Sequence, residues 1–158
     1  MIALGYELPG APAPADRAQE QANKRLFLEV ATRMFVDGDL AAIDRYYAEN
    51  YVNHDSHRQA LARQMGLTDR QMTQAFFERF VQAFPDVTLT VDQLYAEGDR
   101  VIAFTTWRGT HRKDFMGMPP SGQPVTIRTA DVFRIIDGRF QDHWDVADQS
   151  GLMPQLHQ

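Results

Sequence analysis

The chain has 158 residues, and at roughly 100–200 residues per domain it reads as one domain able to bury a core of its own. It contains no cysteine, which excludes a disulfide framework, thiolate zinc sites and a cysteine nucleophile. A formal net charge of −5 argues against a sequence-blind grip on nucleic acid, and no apolar run approaches the roughly 18 residues that span a bilayer.

Residues 1–15 (MIALGYELPGAPAPA) are rich in proline and glycine and read as a flexible or draped arm, with a single domain over 16–158. The start has neither a basic leader nor a long apolar stretch, so a cytoplasmic protein is expected. A helix is expected to begin near Asp16. Ala22, Leu26, Phe27, Val30, Ala31 and Met34 then fall on one face of a 3.6-residue period. Asp39 is the expected N-cap of a short helix over 40–47. Tyr51-Val52-Asn53-His54-Asp55 follows, and the polar stretch up to Gly66 reads as a loop with at most a helical turn. Thr68 and Gln71 have the form of a capping box ahead of the stripe Met72, Phe76, Phe80 and Ala83, and the helix must stop before Pro85.

From residue 87 the period changes to two. Val87, Leu89 and Val91 alternate with polar residues in a first strand, and Gly98-Asp99 turns into a second over 100–111. A third covers 125–136 and a fourth 139–146. Residues 112–124 form a long connection. Helices first and then an antiparallel meander indicate an α+β fold, with a pocket between the helices and one sheet face.

Asp131 is an anomaly in the third strand. It shares its alternating row with Val125, Ile127, Thr129, Phe133 and Ile135, and an unpartnered buried carboxylate is costly. It could instead pair with Arg128 or Arg134 at the surface. Hairpin register decides whether it meets His143 and Asp145. A two-residue Asp137-Gly138 turn sets Asp131 opposite Trp144 and agrees with an apolar Ile135–Phe140 pair. A three-residue loop, Ile136 to Gly138, sets Asp131 opposite His143 and Asp145 opposite Thr129, all on one face. Pattern alone leaves both open. His54-Asp55-Ser56-His57 lies in a loop without a specified third ligand, so no metal is expected. His157 reads as a solvated tail residue and His111 as the end of the second strand, in the row of Trp107. There is no phosphate loop and no nucleophile elbow. What remains is carboxylate and imidazole acid–base chemistry without a cofactor.

Glu97-Gly98-Asp99-Arg100-Val101, Trp107-Arg108-Gly109-Thr110-His111, Phe115-Met116-Gly117-Met118-Pro119-Pro120-Ser121-Gly122 and Asp131-Val132-Phe133-Arg134-Ile135-Ile136-Asp137-Gly138, followed by His143-Trp144-Asp145, resemble the SnoaL-like polyketide cyclase family. Tyr51 to Asp55 and Phe84-Pro85-Asp86 match its helical half, and the likeness covers roughly residues 20–156. It implies the nuclear transport factor 2-like fold, a cone-shaped, strongly bent antiparallel sheet with N-terminal helices closing a pocket. It further implies a dimer, no cofactor, and ring closure by intramolecular aldol condensation with Asp145 as the acid–base residue. A pocket position fourteen residues earlier, histidine in the archetype, is Asp131 here. The resemblance selects the three-residue loop, because it puts Asp131 and Asp145 in one pocket.

The expected catalytic residues are thus Asp145, Asp131 and His54, the last to polarise a carbonyl. His143, His111, Trp107, Asn53, Tyr51, Phe115 and Phe133 are expected to contact the substrate. A non-catalytic small-molecule binder of the same fold is the alternative. Epoxide hydrolysis, which wants an Asp-Arg-Asp set, ranks lower because Arg128 lies on the opposite face from Asp131. The even row Ile102, Phe104, Val132, Ile136, Phe140, Trp144 and Val146 is too apolar to face water and is expected to form a homodimer interface on the outer sheet face.

Overall fold

A computed structural model describes residues 16–148 and 154–155; the expected arm over 1–15 and His157 lie outside these. Asp16 caps α1 (Arg17–Phe35), accepting from the amides of Ala18 and Gln19. The buried stripe Phe27, Val30 and Met34 lies against the sheet, as the 3.6-residue period requires. The short α2 (Ala42–Tyr46) starts later than expected and has no side-chain cap. The Asp39 carboxylate is instead held by Arg45, and only its carbonyl reaches the amide of Ala42.

Two elements depart from the sequence reading. Tyr47–Asn53 is a strand, β1, so the sheet has five strands rather than four. Ser56–Met65 is a helix of nearly three turns, α3, rather than a loop. Asp55 caps it at the amide of Arg58, and Gly66 ends it at φ 68°, a left-handed position open to glycine. The Thr68–Gln71 capping box is formed at the head of α4 (Asp69–Ala83), which ends before Pro85.

The meander comprises β2 (Thr88–Glu97), β3 (Arg100–Thr110), β4 (Pro124–Ile136) and β5 (Arg139–Ala147). Strand order is β1-β5-β4-β3-β2, antiparallel except for the parallel β1–β5 pair. The sheet is curved and does not close. Its inner row on β3 and β4 (Val101, Ala103, Phe133, Ile135) joins the α1 stripe in the main core. A second cluster, Phe80, Phe84, Phe115, Val125 and Ile127, fills the space under α4.

The β4–β5 hairpin corrects the expected loop. Ile136 pairs with Arg139 and Ile135 with Phe140, so the turn is the two-residue Asp137-Gly138, with both residues at positive φ (50° and 71°). A bulge at Gln141 then shifts the register. Beyond it Arg134 faces Asp142, Phe133 faces His143, Thr129 faces Ala147, and Asp131 faces Asp145, neither the His143 expected from the three-residue loop nor the Trp144 of an unbroken two-residue hairpin. The apolar pairing at the tip and the acidic face further along coexist because one extra residue separates them. The bulge also changes parity: Phe140, expected on the outer face, is buried in the core.

Candidate active site

Between α1, α4 and the concave sheet face lies a cavity that opens to solvent at its mouth. Its wall is mainly apolar, with Phe27, Met34, Phe77 and Trp107 among the lining residues. Polar side chains interrupt it, among them Arg58, Thr73, Thr105, Asp131 and His143.

Asp131 is the hub of a hydrogen-bond chain. Its Oδ1 is 2.9 Å from His143 Nε2, and its Oδ2 accepts from the Thr129 hydroxyl at 2.5 Å. Because Thr129 gives its proton to Asp131, the Thr105 hydroxyl must be the donor in the 2.7 Å contact between the two threonines. The His143 ring lies flat on Phe133, with centroids 4.2 Å apart and planes 3° from parallel. Its other nitrogen, Nδ1, faces Asp145 Oδ1 at 4.0 Å. With the Asp131 carboxylate accepting, the ring donates from Nε2, and its Nδ1 is turned toward Asp145.

Asp145 lies behind this wall. Its side chain is 9% exposed, Oδ2 is 3.7 Å from Arg58, and Oδ1 is buried without a hydrogen-bond partner. Arg58 comes from α3, and its guanidinium also sits over the Phe76 ring at 4.5 Å. Two buried phenols flank the group. Burial pushes the Tyr47 hydroxyl well above its ordinary pKa, and the Asp131 charge adds to this. Burial likewise raises Tyr51, helped by Tyr47 and Asp145 and opposed by Thr73 and Arg58. Both remain neutral hydroxyls in the physiological range.

The other expected site residues are placed elsewhere. His54 is not in the cavity. It lies on the outer sheet face, 2.8 Å from Asp142 and stacked on Trp144 at 4.3 Å, because Asp142 and Trp144 point away from the side that His143 and Asp145 share. Arg134 completes that outer network on Asp142 at 2.7 Å, so it does not pair with Asp131. His57 is exposed, and among the described residues no group of three or more histidine or acidic side chains could hold a metal. Phe115 belongs to the second cluster, and His111 packs against it. His111 is fully buried, stacked on Phe84, with Nδ1 accepting from the Ser121 amide. Asn53 organises helix starts: its Oδ1 accepts from the Asp55 amide, and its own amide donates to Asp69. Trp107 and Phe133 line the cavity. Arg58 and Thr73 were missed by the sequence reading. The one signal for Arg58 was Asp55 three residues earlier and Gly66 beyond, the punctuation of a helix.

The family model for SnoaL-like polyketide cyclases matches residues 25–156. The chain belongs to this family. No curated protein matches it. Among solved structures, the family member is similar to TsrD from Streptomyces laurentii, with 29% identity over 89% of this chain and 96% of that one at a TM-score of 0.73. AclR from Streptomyces galilaeus, provisionally assigned as a hydroxylase, is 28% identical over 87% and 97% of the two chains, with the same TM-score. IdmH from Streptomyces antibioticus, provisionally assigned as a polyketide cyclase, is 26% identical over 86% and 99%, at 0.67. The family supports a cyclase-type function. Among the described residues no helix is long and apolar enough to cross a membrane.

Proposed function

We propose that the protein is a cofactor-independent acid–base catalyst that closes a ring in an apolar carbonyl compound by intramolecular aldol condensation. The observation that carries this is the buried, unpartnered Oδ1 of Asp145 beside an imidazole already oriented by Asp131. A buried acceptor left unpaired is unfavourable, and it is relieved when a substrate proton reaches it. Asp145 removes a proton α to a carbonyl: the C–H bond breaks, the O–H bond forms, and the electron pair moves to the carbonyl oxygen as an enolate. The enolate carbon then bonds to a second carbonyl carbon of the same molecule. The alkoxide so formed takes the proton back, directly from Asp145 or through His143, whose Nδ1 faces it. The apolar wall excludes water and strengthens each of these electrostatic contacts.

Exchange of carbon-bound protons of a trial ketone in D₂O tests the step. Asp145→Asn is expected to slow exchange at least ~10²-fold, the usual scale for a general acid or base. Undiminished exchange in that variant removes Asp145 from the chemistry, and no exchange even in the wild type favours the binding protein.

Arg58 also favours a second reading. It lines the cavity with Asp131 and sits 3.7 Å from Asp145 behind the wall, supplying the arginine that exposed Arg128 does not, so an Asp-Arg-Asp set of the kind that activates water on an epoxide is a second reading. Formation of a diol from an apolar epoxide would distinguish the two readings.

The proposal includes a second copy of the chain on the outer sheet face. Phe104, Ala130 and Val146 lie in one cross-strand row, with Phe104 42% and Val146 74% exposed, and Ile136 on the same face is 41% exposed. A two-fold pairing would cover this apolar surface.

A further inference from the structure

We infer that Arg58, with Tyr51 and Thr73, forms an oxyanion subsite that takes the enolate oxygen of an enolised β-dicarbonyl substrate. Among the described residues the Arg58 guanidinium makes no side-chain hydrogen bond. Its contact with Asp145 at 3.7 Å is a charge contact beyond hydrogen-bond distance, and its other neighbour is the face of Phe76. An arginine side chain that is only 23% exposed and lines the cavity thus keeps its donors unused. Such a group is suited to a planar anionic oxygen acceptor.

Two further polar groups lie nearby, the hydroxyls of Tyr51 and Thr73, which face each other and have no other partner among the described residues. The hydroxyls of Tyr51 and Thr73 are buried without a well-formed hydrogen bond, and each residue is only 3% exposed. Thr73 lines the cavity beside Arg58, and Tyr51 feels the charges of both Arg58 and Asp145. Buried polar groups are nearly always satisfied in native proteins, so the open guanidinium of Arg58 and the weakly held hydroxyl of Thr73 on the cavity wall, with the Tyr51 hydroxyl against Thr73, mark the place of a ligand oxygen. The proximity of Arg58 and Asp145 then has a chemical meaning. A carbonyl oxygen and its α-carbon are separated by one atom, so the donor for the oxygen and the base for the α-proton must lie within a few ångströms of each other. A β-dicarbonyl fits best, because its enolate places negative charge on oxygen and offers a second oxygen to the hydroxyls. The assignment rests on the aldol reading for the role of Asp145, while the subsite itself is a matter of binding.

The test uses 1-phenylbutane-1,3-dione as the probe and follows its enolate absorption band while the full-length protein is titrated with pH. Wild-type protein is expected to make the enolate band appear at lower pH than for the probe alone. Arg58→Met should abolish that displacement and weaken enolate binding by about 10–100-fold, the scale of a charged hydrogen bond. Arg58→Lys should retain part of it, since the charge remains but the planar fork is lost. Asp145→Asn should leave it intact or enlarge it, because a competing anion is removed. Circular dichroism checks folding, and Thr73→Val gives a milder second variant, expected to reduce the displacement. A wild-type protein that leaves the probe's titration unchanged overturns the subsite, as does a displacement that survives both Arg58 variants. If the band responds to Arg58 while deuterium exchange ignores Asp145, the aldol reading falls and the subsite stands. If exchange requires Asp145 while the band ignores Arg58, the subsite alone falls.

Discussion

His143 is constrained on three sides: by the Phe133 ring, by Asp131 at Nε2 and by Asp145 at Nδ1. This local arrangement lets one imidazole connect two carboxylates without rotating, which suits proton movement between them. A different carboxylate governs acid sensitivity at the far end of the sheet. Asp86 accepts from the Thr110 amide at 2.7 Å and from its hydroxyl at 2.6 Å, tying the chain after α4 to the end of β3. These bonds hold its pKa below the ordinary carboxylate value, the Thr110 hydroxyl contributing most. A lowered folded-state pKa means stability that is fully present above the unfolded value and lost as pH falls through the folded one. Asp86→Ala should therefore melt at a lower temperature than wild type at neutral pH, with the gap narrowing below about pH 4. Thermal melts across that range check it, and a gap that widens toward acid would refute the assignment.

At the scale of elements, what could be read from the sequence followed periodicity. The stripes of α1 and α4 and the alternation of β2, β3 and β4 have strong periods, and they fold as expected. β1 has none: Tyr47 to Asn53 buries two residues, exposes two and buries again, because its pairing with β5 is irregular. α3 buries only Ala62, so its pattern lacks an apolar stripe and resembles a polar loop. Arg58 was hidden with it. The acidic face was visible as a carboxylate in an apolar row, but the extra residue at Gln141 that aligns Asp131 with Asp145 has no local signature. Only the partner strand reveals it. Since α3 carries Arg58 and starts at a single carboxylate cap, Asp55→Ala should cost about 1 kcal/mol in urea unfolding and loosen Arg58 as well. The latter would appear as weaker binding of the enolate probe with Arg58 itself unchanged.

At the scale of the molecule, the inner face of the sheet is committed to helices and cavity, while the outer face is mixed. Its β1–β5 end is closed by His54, Asp142, Arg134 and Trp144, with Arg100 over the Trp144 ring at 5.5 Å. The Phe104–Ala130–Val146 row and Ile136 form its exposed apolar part. Light scattering at micromolar concentration should give twice the chain mass of 18.0 kDa, and Phe104→Glu with Val146→Asp should return it to one. A wild-type mass of 18.0 kDa would remove the second copy from the proposal. The parallel strand at the sheet edge has a kinetic consequence. His54 and Asp142 meet across 88 positions of chain, whereas the meander is built from neighbouring strands. Closing so long a loop is entropically the slowest contact to make, so the hairpins should form before β1 docks and brings α3 with it. Pulsed hydrogen exchange during refolding should find the β3 and β4 amides protected first and those of β1 last. The pocket would then acquire Arg58 only in the closing phase, and a newly made chain could be almost completely folded while still unable to hold its ligand.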